Sequence, residues 1–412
     1  MNRREFLHAA GISSLLAAGI SGCDYSFEDG FFNPCLARLP KHITDNDFVK
    51  AAWSGIDAAK MWDSHAHLVG VGDSGSGAWV NPSMESLLNT KQYVQRLFYL
   101  NAGCTHEAKT RVDQSYIERL HNLLDGLRPG AKLLLFAFDY QYTETGDISR
   151  DHSTFYLPNE YAAKTAALYP QYFEWAASIH PYRKDCVEAL EQAVKQRARA
   201  VKWLPAAQGM NPSSALCDKF FSALVRHKLP LITHAGEEKA VHGGDTQAYG
   251  NPLLLRRALD HGVRVVVAHC ASLGQDRDLD LGANGPYVNS FELFARLMDD
   301  AKYGKTLHGD ISAVTQLNRA IDVLKRIIER SDWHGRLLNG SDYPIPGVMP
   351  LYSIENMLQE KMITKPIAPV LREIRKHNPL LFDFVLKRHL QSNGKQLSAR
   401  IFETRPFFES IT

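Results

Sequence analysis

The sequence predicts an α/β chain folded as a (β/α)8 barrel. Eight short apolar runs, mostly of strand length, alternate with amphipathic stretches of helical spacing. Polar residues of one chemical kind close several of those runs. The runs are Met61–Leu68, Lys132–Asp139, Phe173–His180, Ala200–Leu204, Leu229–Ala235, Arg264–His269, Thr306–Ala313 and Arg336–Asp342. A doubly wound open sheet is the structural alternative, but no dinucleotide glycine fingerprint follows the first run.

The first run ends His65-Ala66-His67. Strand side chains alternate between faces, so the two imidazoles point the same way and can reach one metal ion. Taken alone, the pair fits a solvated strand edge equally well. The stretch from Leu68 to Lys132 is long and predicts a loop and helices roofing a site. Gly70-Val71-Gly72 and Ser74-Gly75-Ser76-Gly77 within it read as a flexible loop.

Between later runs, Val187, Leu190, Val194 and Ala198 fall at helical spacing, as do Leu317, Ile321, Leu324, Ile327 and Ile328. Ser213 or Ser214 suits a cap before Leu216, Phe220, Leu224 and Val225. Pro252 suits a first helical position, and Gly262 a helix stop. These stripes predict core packing. The barrel is expected over residues 56–350. Residues 351–412 read as a C-terminal helical extension, with Asn378-Pro379 opening one helix, that closes the barrel bottom or meets a second copy in a homo-oligomer.

The N-terminus reads differently. Arg3-Arg4 precedes a mild apolar stretch, Phe6 to Gly22, rich in Ala, Gly and Ser and short for a membrane span. It resembles a twin-arginine export signal, and Ile20-Ser21-Gly22-Cys23 is similar to a bacterial lipobox. The resemblance implies a signal peptide over 1–22, lipidation at Cys23 and a periplasmic protein. Asp24 after the lipidated cysteine goes, in that pattern, with retention at the inner membrane. Residues 23–55 then form a tether and an arm lying on the domain. The membrane enters only through that anchor.

The 412 residues are 45% hydrophobic and 22% charged, an ordinary globular balance, with a formal net charge of +2. No basic stripe interleaves with aromatics, which argues against a nucleic-acid partner and leaves a small-molecule substrate. Beyond Cys23 the cysteines are Cys35, Cys104, Cys186, Cys217 and Cys270, odd in number and scattered. They suggest neither a disulfide framework nor a CxxC zinc site.

In a barrel of this kind the active site lies at the C-terminal ends of the strands. Those ends carry His65 and His67, then His180, Lys202, His234, His269 and Asp342. Singly, each reads as easily as a core histidine, a snorkelling lysine or a helix cap. Arg183, Lys239 and His242 lie in loops after strands three and five, and with His180 are candidates for holding a substrate carboxylate. His308 and Asp310 share one face of strand seven and suit supporting roles behind a metal site.

With HxH on strand one, lysine on strand four, histidine on strands five and six and aspartate on strand eight, the sequence resembles the amidohydrolase superfamily. Within it, the likeness is to the branch of aminocarboxymuconate-semialdehyde decarboxylase-like enzymes, over residues 60 to 350. The resemblance implies a distorted barrel holding one or two divalent metals, zinc first among them. His65, His67, His234 and Asp342 would hold the first. A carbamylated Lys202 with His269 would hold a second; otherwise Lys202 is a cation beside the metal and His269 is free for acid–base work. The resemblance implies catalytic roles for Asp342, as base, and for His269, which could also polarise a substrate carbonyl.

Three functions remain open. One is a metal-dependent hydrolase in which water activated on the metal attacks an amide, lactone or other ester. The second is a metal-dependent, non-oxidative decarboxylase of an unsaturated or aromatic acid. The third is a non-catalytic metal- or ligand-binding lipoprotein.

Overall fold

All eight predicted runs contain a strand: β1 (Trp62–His67), β2 (Lys132–Phe136), β3 (Phe173–Ala176), β4 (Val201–Trp203), β5 (Leu231–His234), β6 (Val265–Ala268), β7 (Leu307–Asp310) and β8 (Leu337–Leu338). The structure is a computed structural model describing residues 28–108 and 110–409. The predicted export signal, Cys23 and Asp24 lie outside the described residues.

Pairing among these eight strands is parallel. β1, β2 and β3 form one ladder and β4 to β8 another. Backbone hydrogen bonds join the two at both seams. Ala177 N donates to Ala200 O at 2.9 Å and Lys202 N to Ala177 O at 2.7 Å, linking β3 to β4. Ser64 N donates to Asn339 O at 3.0 Å, Asp342 N to His65 O at 2.8 Å, and His67 N to Tyr343 O at 2.8 Å, linking β8 to β1. The eight strands therefore close into a ring, the (β/α)8 barrel, with every strand end delivered to one mouth.

The helices between strands bury most of the predicted stripes, but Leu216 and Val225, expected in the core, are exposed, and Phe220, Phe221, Ala223 and Leu224 form the buried face there. In the long segment after β1 lie α1 (Thr90–Ala102) and α2 (Val112–Leu124). Between later strands come α3 (Asn159–Leu168), α4 (Cys186–Lys195), α5 (Asp218–Arg226), α6 (Arg256–Asp260), α7 (Ser290–Asp299) and α8 (Ile321–Glu329). α8 buries Val323, Leu324, Ile327 and Ile328 against the barrel, each worth about 1.5–3 kcal/mol relative to exposure. In α4 the buried face is Cys186, Leu190 and Ala193, one step round from the predicted stripe, with Val187 and Val194 only half-buried. Beyond the barrel, α9 (Ala368–His377) and α10 (Pro379–His389) pack as the extension, α10 capped by Asn378 accepting from Leu381 N. The arm is anchored by the buried residues Ile43, Val49 and Trp53, Trp53 against Phe384 with ring centroids 4.4 Å apart.

Trp62, Leu134, Phe136, Ala176, Ala200, Ile232, Val266 and Leu338 fill the barrel interior. Phe408, fully buried, stacks on Trp62, and Arg264 holds Phe407 O at 3.2 Å. Phe407 and Phe408 thus plug the bottom of the barrel. No helix of the described residues is long and apolar enough to cross a membrane.

Two expectations are corrected. Cys35 and Cys104 form a disulfide that ties the arm to the loop beyond α1, while Cys186, Cys217 and Cys270 are free and buried. A sequence separation of 69 leaves no spacing signal. The glycine-rich segment after β1 is pinned rather than free: Asp113 accepts from Val71 N at 2.6 Å, Ser74 Oγ at 2.9 Å and Ser76 Oγ at 2.6 Å.

Candidate active site

β1 builds the first part of the site by breaking its own alternation. Trp62 points into the barrel, so period-two alternation would turn His65 and His67 outward. The pairing with β2 runs Trp62 to Lys132 and Asp63 to Leu133, then Ala66 to Leu135 and His67 to Phe136. One extra residue is absorbed between Asp63 and Ala66, a bulge that flips the face. Trp62 can therefore seal the floor while His65 and His67 line the mouth. Gly340 makes room beside them: a Cβ there would stand 2.5 Å from His65 Cβ.

Asp342 and His269 leave their strands with φ of +63° and +57°, in the left-handed region that costs a non-glycine residue about 1–3 kcal/mol. The turn aims both side chains back over the mouth. Asp342 Oδ1 lies 3.0 Å from His67 Nε2 and 3.4 Å from His65 Nε2. Its Oδ2 lies 4.0 Å from His269 Nε2. His234 stands across from His269, ring centroids 5.4 Å apart. Lys202 Nζ donates to His65 Nε2 at 3.2 Å and lies 4.9 Å over the Phe136 ring. The structure thus gathers His65, His67, Lys202, His234, His269 and Asp342 at one mouth.

Burial sets the charge states. It holds His65 and His269 well below the usual histidine range and takes His234 down to about 3, leaving neutral rings. Burial lowers Lys202 to about 8, against the pull of Asp310 and Asp342. Burial also opposes the charge of Asp342, yet the His67 hydrogen bond and the nearby His65 and Lys202 hold its carboxyl below the usual range.

Asp310, on β7, organises the back of the site. It accepts from His65 Nδ1 at 2.8 Å, His269 N at 2.9 Å, Ser312 N at 3.0 Å and the Ser312 hydroxyl. A carboxylate only accepts, so the Ser312 hydrogen points to Asp310. The Ser312 oxygens then accept from His269 Nδ1, at 2.8 Å for Oγ and 3.1 Å for the carbonyl. This network assigns the tautomers: His65 and His269 both carry hydrogen on Nδ1 and turn the Nε2 lone pair toward the mouth.

Such a donor set fits a divalent cation. The Nε2 lone pairs of His65 and His269 converge beside an ionised carboxylate, and donor atoms of His65, His67 and Asp342 all lie within 4.8 Å of one another. The carboxylates of Asp310, Asp342 and Glu238 share Lys202 and Arg319 as cations, a local excess of negative charge that a dication offsets.

A cavity of about 150 Å³ opens above the cluster. Its walls are mostly apolar, with Met84, Phe136, Phe155 and Leu157 among them, and α1 roofs it through Arg96, Tyr99 and Leu100. Arg96 pairs with Glu85 at 2.8 Å, and its Nε is buried without a hydrogen-bond partner among the described residues.

The residues expected to hold a substrate carboxylate are placed elsewhere. Arg183 is clamped to buried Asp139 at 3.1 Å and to Asp185 at 2.9 Å. His180 is fully buried, its Nε2 bonded to Gln208 O at 3.0 Å. Lys239 pairs with Glu237 at 3.3 Å, and His242 is exposed. None of the four lines the cavity. Arg96, Tyr99, Glu238 and Arg319 were not marked by the sequence. Arg96 lies on a helix without an amphipathic stripe, and the other three gain meaning only from what they face. Of the β7 pair, Asp310 stands behind the site and His308 points to the floor, 4.7 Å from the Phe407 ring.

A closed parallel barrel whose strand ends gather imidazoles, a lysine and a carboxylate over an apolar cavity is a metal-dependent enzyme scaffold. The chain belongs to the amidohydrolase family, which matches residues 128–380, more than half its length. The match takes in Lys202, His234, His269 and Asp342 and stops short of β1. No curated protein matches the chain. Among solved structures it is similar to an uncharacterised TIM-barrel protein from Bordetella bronchiseptica, at 17% identity, 75% of this chain, 93% of that one and TM-score 0.45. It is similar also to 5-carboxyvanillate decarboxylase from Sphingomonas paucimobilis, at 13% identity, 75% and 95% coverage and TM-score 0.42. A 2,6-dihydroxybenzoate decarboxylase aligns at 12% identity, 78% and 97% coverage and TM-score 0.40.

Proposed function

We propose that the chain hydrolyses an amide, lactone or other ester of a largely apolar acid. The observation that carries this reading is the seat of Asp342, between His65, His67 and His269 on the cavity floor. His65, His67, His234 and Asp342 would hold a divalent ion, zinc by the preference of a three-histidine, one-carboxylate set. When bound, that ion supplies Lewis acidity and lowers the pKa of water towards about 7.

The chain's own residues do the rest. Asp342, held ionised, takes the proton of the attacking water and returns it to the leaving group. His269, neutral with its Nε2 lone pair toward the mouth, acts as a proton acceptor or a second-ion ligand rather than as a donor to the substrate carbonyl. Arg96 holds an anionic group of the substrate at the roof, and the apolar walls exclude water and take the remainder.

Substituting Asp342→Asn tests the reading. Turnover over an ester, lactone and amide panel should fall by about 10²–10⁴ while most metal is retained; full activity in that variant overturns it. Metal stoichiometry decides the role of Lys202: two ions per chain assign a carbamylated lysine, one ion an ammonium.

The apolar walls also favour a second reading, non-oxidative decarboxylation. A carboxylate is disfavoured in such surroundings relative to the neutral carbon dioxide that leaves it. Carbon dioxide release without oxygen uptake from labelled water selects this reaction over hydrolysis.

Export with a lipid on Cys23 remains our proposal for location. The Cys35–Cys104 disulfide supports it, since such bonds persist in oxidising compartments. Palmitate labelling that survives Cys23→Ala overturns it.

A further inference from the structure

Glu238 has no part in the ligand set expected from the strand ends. It lies four residues beyond His234, in the loop after β5, and only 7% of its side chain is exposed. One oxygen, Oε1, accepts from Ala240 N at 2.6 Å and Val241 N at 2.9 Å. The other, Oε2, faces His234 Nε2 at 3.4 Å, and Glu238 lines the cavity with His269 and Asp342.

The loop holds this carboxylate in place. Gly236, at φ +84°, passes so close to Leu273 that a Cβ would stand 2.6 Å from its carbonyl oxygen. Gln247 Oε1 accepts from Glu238 N at 3.0 Å. From the roof, Gln95 Nε2 donates to Lys239 O at 3.0 Å and Tyr99 OH to Ala240 O at 2.7 Å. A donor fixed before its ligand arrives costs little to use.

No lysine or arginine among the described residues forms an ion pair with Glu238. An unpaired carboxylate taken out of water is expensive, and a chain keeps one where a cation completes it.

We propose that Glu238 is a further carboxylate donor to the metal centre, on the side of His234. It supplies the anionic oxygen that the strand-end histidines lack there, and it belongs to the loop rather than to the barrel. The inference rests on the metal-dependent reading of the site.

The test is divalent-ion binding by the full chain stripped of metal. Glu238→Gln keeps an oxygen for the two backbone N–H groups and removes the charge, while Glu238→Asp keeps the charge on a shorter arm. Zinc affinity by chelator competition and the visible spectrum of the cobalt form are compared with the parent protein. The expected result is at least about tenfold weaker zinc binding in Glu238→Gln, a changed cobalt spectrum, partial recovery in Glu238→Asp, and unaltered thermal unfolding of the metal-free forms. Parent-like affinity and spectrum in Glu238→Gln overturn the proposal. So does weaker binding that follows a loss of metal-free stability in both variants, which marks a turn residue only. A parent protein that takes up no divalent ion removes the metal reading itself, a separate result.

Discussion

Asp310 Oδ2 lies 2.8 Å from His65 Nδ1, both groups fully buried. The contact fixes the tautomer and pitch of a ring whose other nitrogen faces the site, the usual work of a carboxylate behind a metal-binding histidine. Asp310→Asn leaves the ring free to turn and to exchange its hydrogen. Chelator competition should show zinc binding weakened by about 10–100-fold, with the Asp342 position intact.

Arg96 and Arg183 separate a substrate contact from a structural one. Arg96→Gln should raise KM for acidic substrates by more than tenfold, with unchanged KM for neutral analogues of the same shape. Arg183→Gln should leave KM alone and strand buried Asp139, whose carboxyl burial already raises. Urea unfolding should register a loss of about 3 kcal/mol. Equal KM effects from both variants would refute the assignment.

His180 gives a pH dependence to stability. Burial takes its pKa down to about 3, against about 6.5 in the unfolded chain. Between those values the unfolded state binds the extra proton, so this contribution is full above about 6.5 and is lost as pH falls toward 3. The slope from this one group reaches at most about 1.4 kcal/mol per pH unit. His180→Gln should flatten the unfolding free energy over that range relative to the parent protein.

The Cys35–Cys104 bond closes a loop with a sequence separation of 69. The chain-entropy estimate for a loop of that length is about 4 kcal/mol. Cys35→Ser should lower the unfolding free energy by that order, and reduction of the parent protein should reproduce the change. Identical unfolding curves with and without reductant would count against the bond.

The strands were legible in the sequence because each is a short apolar run between polar stretches, and burial on both faces of a parallel barrel requires that. The strand-end residues were legible for a related reason: His67, Lys202, His234 and Asp342 break apolar runs where a solvent-averse chain gains nothing by it. The geometry of β1 was not. Alternation alone points His65 and His67 to one side, but which side depends on a bulge that exists only in the pairing with β2.

What the sequence determined by itself is the barrel, the order of its strands and the chemistry at their ends, since periodicity and residue type are local properties of the chain. Tertiary structure alone decided which charges meet. Arg183 turned to Asp139, Arg96 came to the roof from 29 residues beyond His67, Glu238 came to face His234, and Cys35 reached Cys104. Those outcomes follow from loop paths and from the need to pair buried charge, and neither leaves a period or a spacing to read.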